Sequence, residues 1–309
     1  MKSVTRIIIT DDNGIKFFGE GPLRLLRSVE KTGSLRSAAM EMEMAYSKAS
    51  RLLKQAELNL GFPLTTRSAG GKDGGGSRLT PEGKQWLQQY EAYRDACVQS
   101  NQALYRRFFP KIGCVIMASG LGKRFGGNKL MADFHGEPMI RRALRATDNL
   151  FAKRVVVTRH ESVAALCREL GAEALLHDLP HRSDTVRLGL EALGDPDGCM
   201  FLPGDQPLLR RETVEMLLAH WKTNPDRIIR PVCEDHEGSP VLFPSWAFPE
   251  LKNLPEGKGG SAVIKNHPDA VVRVSIADPM ELADADTPEM LETLKTLCLD
   301  QQTPTSPLE

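Results

Sequence analysis

The stretch at residues 115–130, VIMASGLGKRFGGNKL, constrains this chain more than any other. The apolar run Val115, Ile116, Met117 reads as the end of a buried strand, and Gly120, Gly122, Gly126 and Gly127 then let the backbone approach a ligand closely. Backbone N–H groups in such a loop, with Lys123, Arg124 and Lys129 around them, suit a polyphosphate. The two commonest phosphate loops do not fit the spacing. A dinucleotide fingerprint needs glycine where this chain has Phe125, and a P-loop needs lysine and a hydroxyl where Gly127 is followed by Asn128.

With 309 residues the chain has room for two domains, and its charge divides between them. Residues 1–110 hold 17 Lys and Arg against 11 Asp and Glu, a net +6, while residues 111–309 hold 23 against 29, a net −6. A basic first part points to nucleic acid, although solvated surface charge produces the same asymmetry. Six cysteines are scattered without a C-x-x-C pair or a secretory signal, so reduced thiols and a cytoplasmic location are expected. No apolar run approaches the ~20 residues of a membrane span.

In residues 4–18, Asn13-Gly14 between two β-rich runs is a hairpin signal. A helix carrying Leu23, Leu26 and Val29 follows, stopped by Gly33, with Ser34 capping the next. The spacing then predicts a short helix, a tight turn near Met42–Met44 and a longer helix from about Tyr46 to Leu60, which is helix-turn-helix spacing. The small pair Ala38-Ala39 permits a close crossing, and Ser47, Lys48 and Arg51 are the groove-facing candidates. Two short strands joined by AGGKDGGG, with Lys72 at the tip, read as a wing for DNA backbone contact, with a plain flexible loop as the alternative. This region resembles the DNA-binding domain of molybdate-responsive regulators of the ModE type, themselves related to LysR-type winged helices. The resemblance covers about residues 15–95 and implies duplex DNA as a partner and a homodimer paired through the long helix from Pro81. The molybdate-binding module of that family is not recognisable in the remainder.

Residues 111–300 alternate apolar strands with amphipathic helices, which implies parallel strands with helical crossovers in a three-layer α/β domain. Ligands of such sheets gather at the carboxyl ends of the strands, where both the glycine loop and Gly204-Asp205 belong. Asp205 suits a Mg²⁺ ion shared with substrate phosphates, a turn cap being the plain alternative. In ADADTPEM an extended segment would put Asp284 and Asp286 on one face, unless Asp286 caps the helix at Thr287-Pro288.

Taken in order, the loop, LPGDQP, GSPVLF and DADTPE resemble the nucleotidyltransferases whose signature is G-x-G-x-R-x-G-x-x-K, here with one extra residue at Gly127-Asn128. The likeness is closest to molybdenum cofactor cytidylyltransferases of the MocA type, whose relatives include the MobA guanylyltransferases. Together the two resemblances imply a winged helix-turn-helix domain (1–109, with the dimerising helix) and an α/β/α Rossmann-like, GT-A-like nucleotidyltransferase domain (110–300), with a disordered tail (301–309) expected after them. It further implies transfer of CMP from CTP to molybdenum-loaded molybdopterin, with pyrophosphate released and molybdoenzymes as possible recipients of the product. Arg124, Lys129 and Asp205 are then catalytic. Ala118, Ser119, Gly120, Gly122, Lys123, Gly126 and Ser183 meet the nucleotide, and Asp205 with Asp284 or Asp286 holds Mg²⁺. Ala118-Ser119, where guanylyltransferases usually carry a glycine pair, favours CTP over GTP. Two alternatives stay open: a guanylyl- or other nucleotidyltransferase on this fold, and a transcription regulator using the domain as a cofactor sensor.

Overall fold

The computed structural model describes residues 3–67, 76–234 and 236–300, and the chain divides into two compact units, Met1–Tyr105 and Arg106–Glu309. The wing tip with Lys72 and the expected tail 301–309 lie outside the described residues.

In the first unit β1 (Ile9–Thr10) and β2 (Lys16–Phe18) pair antiparallel, and the Asp11 carboxylate accepts the N–H groups of Asn13 and Ile15 at 3.0 and 2.8 Å inside their turn. Helix α1 (Glu20–Thr32) ends at Gly33, whose φ of 70° places it in the left-handed region and whose N–H reaches Val29 O. Ser34 then caps α2 (Leu35–Glu41) by accepting the Ser37 N–H. The chain turns at Met42–Met44, where Glu43 takes a positive φ of 51°, and enters α3 (Tyr46–Leu60). Fully buried Ala38, Ala39, Ala49 and Ala56 keep this trio closely packed around Phe18, Leu25, Leu26 and Leu53. Strands β3 (Thr65–Arg67) and β4 (Ser77–Leu79) pair antiparallel as the base of the wing.

Helix α4 (Pro81–Phe108) begins under the hydroxyl of Thr80, which accepts the Gly83 N–H at 2.8 Å and donates to Pro63 O. Gly83 is required by contact: a Cβ there would lie 2.3 Å from the backbone oxygen of Leu64. Further along, the Tyr90 hydroxyl donates to Ile7 O at 2.9 Å while its ring meets Phe18 edge-on. Gly83→Ala is expected to lower stability by about 1–3 kcal/mol through overpacking. Chemical denaturation of the full chain should show an earlier midpoint for the first unit, and an unchanged midpoint would contradict this seating of α4.

The second unit is a three-layer α/β/α domain. Its strands are β5 (Ile112–Ala118), β6 (Lys153–Thr158), β7 (Glu173–Leu176), β8 (Gly198–Pro203), β9 (Ile228–Cys233), β10 (His236–Glu237), β11 (Val241–Pro244) and β12 (Val271–Ser275), in the order β10-β9-β11-β8-β5-β6-β7 with β12 beside β9. Side chains alternate across the sheet. Ile112, Cys114, Ile116 and Ala118 of β5 face the layer of α5 (Ile140–Ala146), α6 (Glu161–Glu169), α8 (Arg211–Thr223) and α11 (Pro288–Asp300). Val115 faces the layer of α7 (Arg182–Leu193), α9 (Phe248–Lys252) and α10 (Ser261–Asn266).

Four strands, β7-β6-β5-β8, are parallel as the alternating pattern predicts. The sheet as a whole is mixed, because β11 runs antiparallel to both β8 and β9. Periodicity reports that a strand is buried and not which way it runs, so this reversal is absent from the sequence pattern. It has a consequence for function: the start of β11, just after Ser239, lies at the edge where β5 and β8 end. Among the described residues no helix is long and apolar enough to cross a membrane.

Candidate active site

β5 and β8 end in register, Met117 opposite Pro203, and the Gly204 N–H donates to Met117 O at 3.0 Å. This pairing sets the loop from Ser119 beside Asp205. The loop folds on itself through N–H bonds from Phe125 and Gly126 to Gly122 O at 2.9 and 3.0 Å. Gly122 cannot be replaced in this turn: its φ is 58°, and an added Cβ would stand 2.0 Å from Gly127 O. Gly120 is different. It has neither a positive φ nor any atom within 4 Å of an added Cβ, so the protein's own packing does not demand glycine there. Loop and Asp205 open onto a cavity of about 560 Å³, the size of a small-molecule site.

Lys129 is the centre of the charge. Only 9% of it is exposed, and its ammonium lies between the carboxylates of Asp205 and Asp286, 2.8 Å from Asp286 Oδ1. Burial opposes the charge, but Asp205 and Asp286 outweigh it and hold the ammonium above its ordinary pKa. Arg124 donates to Asp286 Oδ2 at 2.6 Å from an otherwise exposed position. Asp286 is accordingly kept below the usual carboxylate range, first by its hydrogen bond to Lys129. It does not cap α11, because the Thr287 hydroxyl takes that place and accepts the Met290 N–H.

The segment carrying these acids is tied to the strand end: Ala285 N–H donates to Asp205 O at 2.9 Å, and the Gln206 amide donates to Leu282 O at 3.0 Å. Asp284 and Asp286 both line the cavity, though a tight turn rather than an extended run joins them, since Asp286 N–H reaches back to Asp284 O. Asp284 has no ion pair among the described residues, and burial together with the charge of Asp205 pushes its carboxyl up to about 6. Two crowded carboxyls without a shared cation are the donor chemistry a hard divalent ion suits, so Asp205 and Asp284 fit Mg²⁺. Among the described residues no three His, Cys, Asp or Glu side chains gather to hold a metal unaided. Oxygens from a bound phosphate would have to complete the coordination.

The other end of the cavity is lined by Arg159, Pro180, His181, Arg182 and Thr185. Ser183 does not line it, nor do Ala118 and Gly126, and Lys129 lies behind the wall, reaching it through Asp205 and Asp286; the Ala118 side chain belongs to the core. Sequence reasoning placed the helix start from Ser183 to Arg187 beside the substrate without singling out Thr185, and it passed over Arg159, His181 and Arg182. Thr185 is 2% exposed and its hydroxyl lacks a partner. Helical register carried the signal: Asp184 closes a capping box with His181, so His181, Arg182 and Thr185 share the inward face while Ser183 turns away.

Ser119 lines the cavity and is clamped from behind. Its hydroxyl donates to Val157 O at 3.1 Å, and His177 Nε2 lies 2.8 Å away, so the imidazole is the donor to Ser119 Oγ and its buried Nδ1 has no partner. Burial first, then Arg159, hold this imidazole below the ordinary histidine pKa. A folded pKa below the unfolded one means stability is complete above the unfolded value of ~6.5 and is lost as pH falls through the folded value. His177→Gln should flatten this acid-side loss, measured as melting temperature against pH, while unchanged slopes would mean that the imidazole is not held neutral.

Residues 114–271 match the family model of the MobA-like NTP transferase domain, and the chain belongs to that family. Residues 22–84 match the bacterial regulatory helix-turn-helix proteins of the LysR family. Among curated relatives, the 3-deoxy-manno-octulosonate cytidylyltransferase of Pasteurella multocida (strain Pm70) is 31% identical over 167 residues, covering 45% of this chain and 65% of the relative. The chain spans about half to two thirds of the length of the curated relatives it matches. Two solved structures share the fold: a nucleotidyl transferase from Methanothermobacter (TM-score 0.54, 18% identity, 62% of this chain and 99% of that one) and the molybdopterin-guanine dinucleotide biosynthesis protein A of Archaeoglobus fulgidus (TM-score 0.50, 19% identity, 61% and 99%).

In the first unit Ser47, Lys48 and Arg51 are all exposed on the opening turns of α3, the second helix of the helix-turn-helix.

Proposed function

We propose that the chain transfers CMP from CTP to the terminal phosphate of molybdenum-loaded molybdopterin, releasing pyrophosphate, and that its first unit binds duplex DNA as a dimer. The observation that carries the transferase reading is the buried ammonium of Lys129 between Asp205 and Asp286 at the mouth of a glycine loop. The relatives named as cytidylyltransferases support CTP as donor, and the ModE-type resemblance of the first unit supports a molybdenum-containing acceptor.

In this reading the triphosphate lies along the loop, where Gly120 leaves the room a side chain would fill. A terminal phosphate oxygen of the acceptor attacks the α-phosphorus; the bond to the bridging oxygen breaks, and its electrons leave with pyrophosphate. Arg124 and Lys129 exchange their carboxylate partners for phosphate oxygens and stabilise the charge developing in line. Asp205 and Asp284 would hold Mg²⁺, which when bound neutralises phosphate charge. Thr185 and Ser119 offer hydroxyls to the nucleoside, with Ser119 fixed by His177. No protein nucleophile is needed.

Lys129→Ala should cost about 2–4 kcal/mol of transition-state stabilisation, or roughly 10²–10³-fold in rate. Pyrophosphate release should be measured with CTP and GTP, each with molybdenum-loaded cofactor or 3-deoxy-manno-octulosonate as acceptor. Release only with CTP and the cofactor is expected. Turnover with the sugar acid, or a preference for GTP, would replace the acceptor or donor named here.

For the first unit, the exposed positions Ser47, Lys48 and Arg51 support a groove-facing helix, and the wing sequence around Lys72 supports contact with phosphates. Exposed Tyr93, Leu104 and Phe108 on α4 support pairing of two chains. Arg51→Ala should cost about 1–3 kcal/mol at one base position. Anisotropy titration at two salt concentrations checks this, and a complete lack of salt-dependent binding would leave the unit an assembly module.

A further inference from the structure

Four arginines from three elements converge on a pocket that shares no lining residue with the catalytic cavity: Arg141 and Arg145 of α5, Arg154 near the start of β6, and Arg211 at the start of α8. The pocket measures about 340 Å³, and Asp148 is its only acidic lining residue. Counted with the carboxylates they pair with, Glu137, Asp148 and Glu215, the four arginines leave a net +1 in a part of the chain whose net charge is −6. Three of the arginines are accounted for. Arg145 is paired with Glu137, Arg154 donates to Leu144 O at 2.7 Å and Thr147 Oγ1 at 2.9 Å, and Arg211 donates to Glu215 at 2.8 Å and to Asp148 O at 2.7 Å. Arg141 is not. Its backbone N–H donates to Pro138 O, but among the described residues its guanidinium has no ion pair and its buried Nε no hydrogen-bond partner. A buried guanidinium donor without an acceptor carries a desolvation cost that an anionic ligand would remove.

We propose that this cluster is a second anion site, which takes a phosphate-bearing small molecule apart from the catalytic cavity. Guanidinium forks match phosphate oxygens in pairs, and Arg141 brings its full fork while Arg154 and Arg211 are already held in place by their other bonds. The volume is that of a small-molecule site. Leu144 and Leu170 supply an apolar wall beside the charges, against which the body of a phosphomonoester fits. None of its lining residues belongs to the catalytic cavity, so turnover does not explain it.

Titration calorimetry on the full chain, without Mg²⁺, tests this with inorganic phosphate and glycerol phosphate as probes. Saturable binding is expected, weakened about tenfold or more by Arg141→Ala, the scale of losing a charged hydrogen bond. Arg211→Ala should weaken it too, whereas Lys129→Ala should leave it in place. Tighter binding of glycerol phosphate would assign an organic phosphate, and equal binding the free ion, either in support. Binding that is unaltered in both arginine variants, or that vanishes in Lys129→Ala, would overturn the site, as would no saturable binding of either probe. The Arg141 guanidinium has no ion pair to lose, so Arg141→Ala is expected to melt with the wild type.

Discussion

The active-site half of this molecule is organised around one buried ammonium. Lys129 is 9% exposed, and a lone charge in such a place would be expensive; Asp205 from the end of β8 and Asp286 from ahead of α11 make it tolerable. The same three groups tie the glycine loop, the central strands and the last helix of the described chain to one point. With Arg124 the four groups balance, so under the proposed function a nucleotide would exchange ion pairs and not simply add to free cations. Asp205 and Asp286 released in that exchange would be open to a divalent ion. Loop charge and metal acids are thus two states of one network.

The mixed sheet gives the site its second wall. Had β11 run parallel to β8, the segment of Ser239 would have emerged at the far edge; reversed, it opens onto the cavity with Met117 and Pro203. The α7 face completes the enclosure, with His181 as cap and Thr185 one turn inside. Backbone direction, rather than any special side chain, brings these elements together.

Much of this was legible in the sequence, for local reasons. Hydrophobic period and turn residues located the helix-turn-helix, with α3 over Tyr46–Leu60, and the Gly120–Lys129 spacing identified the loop. Asp205 and the Asp284–Asp286 pair, which the sequence places at a strand end and ahead of a helix, all line the cavity. What escaped was non-local. The antiparallel course of β11 depends on sheet packing; the choice of Thr185 over Ser183 depends on helix register; and the pairing of Lys129 with Asp286 spans 157 positions. The capping role considered for Asp286 went to Thr287 because the carboxylate was already committed to two cations.

That long span has a meaning for how the molecule comes into being. A ribosome-bound chain that has emerged only through α10 already holds every glycine of the loop, Lys129 and Asp205, yet its lysine has a single counter-ion. The second carboxylate arrives from a segment whose place is set by Leu291 and Leu294 of α11 entering the core. Contacts so distant in sequence form late and carry a loop-closure cost. In such a chain Lys129 is balanced by Asp205 alone, with neither β12 nor α11 in place. Asp286, and with it the tie from Arg124 to the rest of the network, joins only when α11 packs.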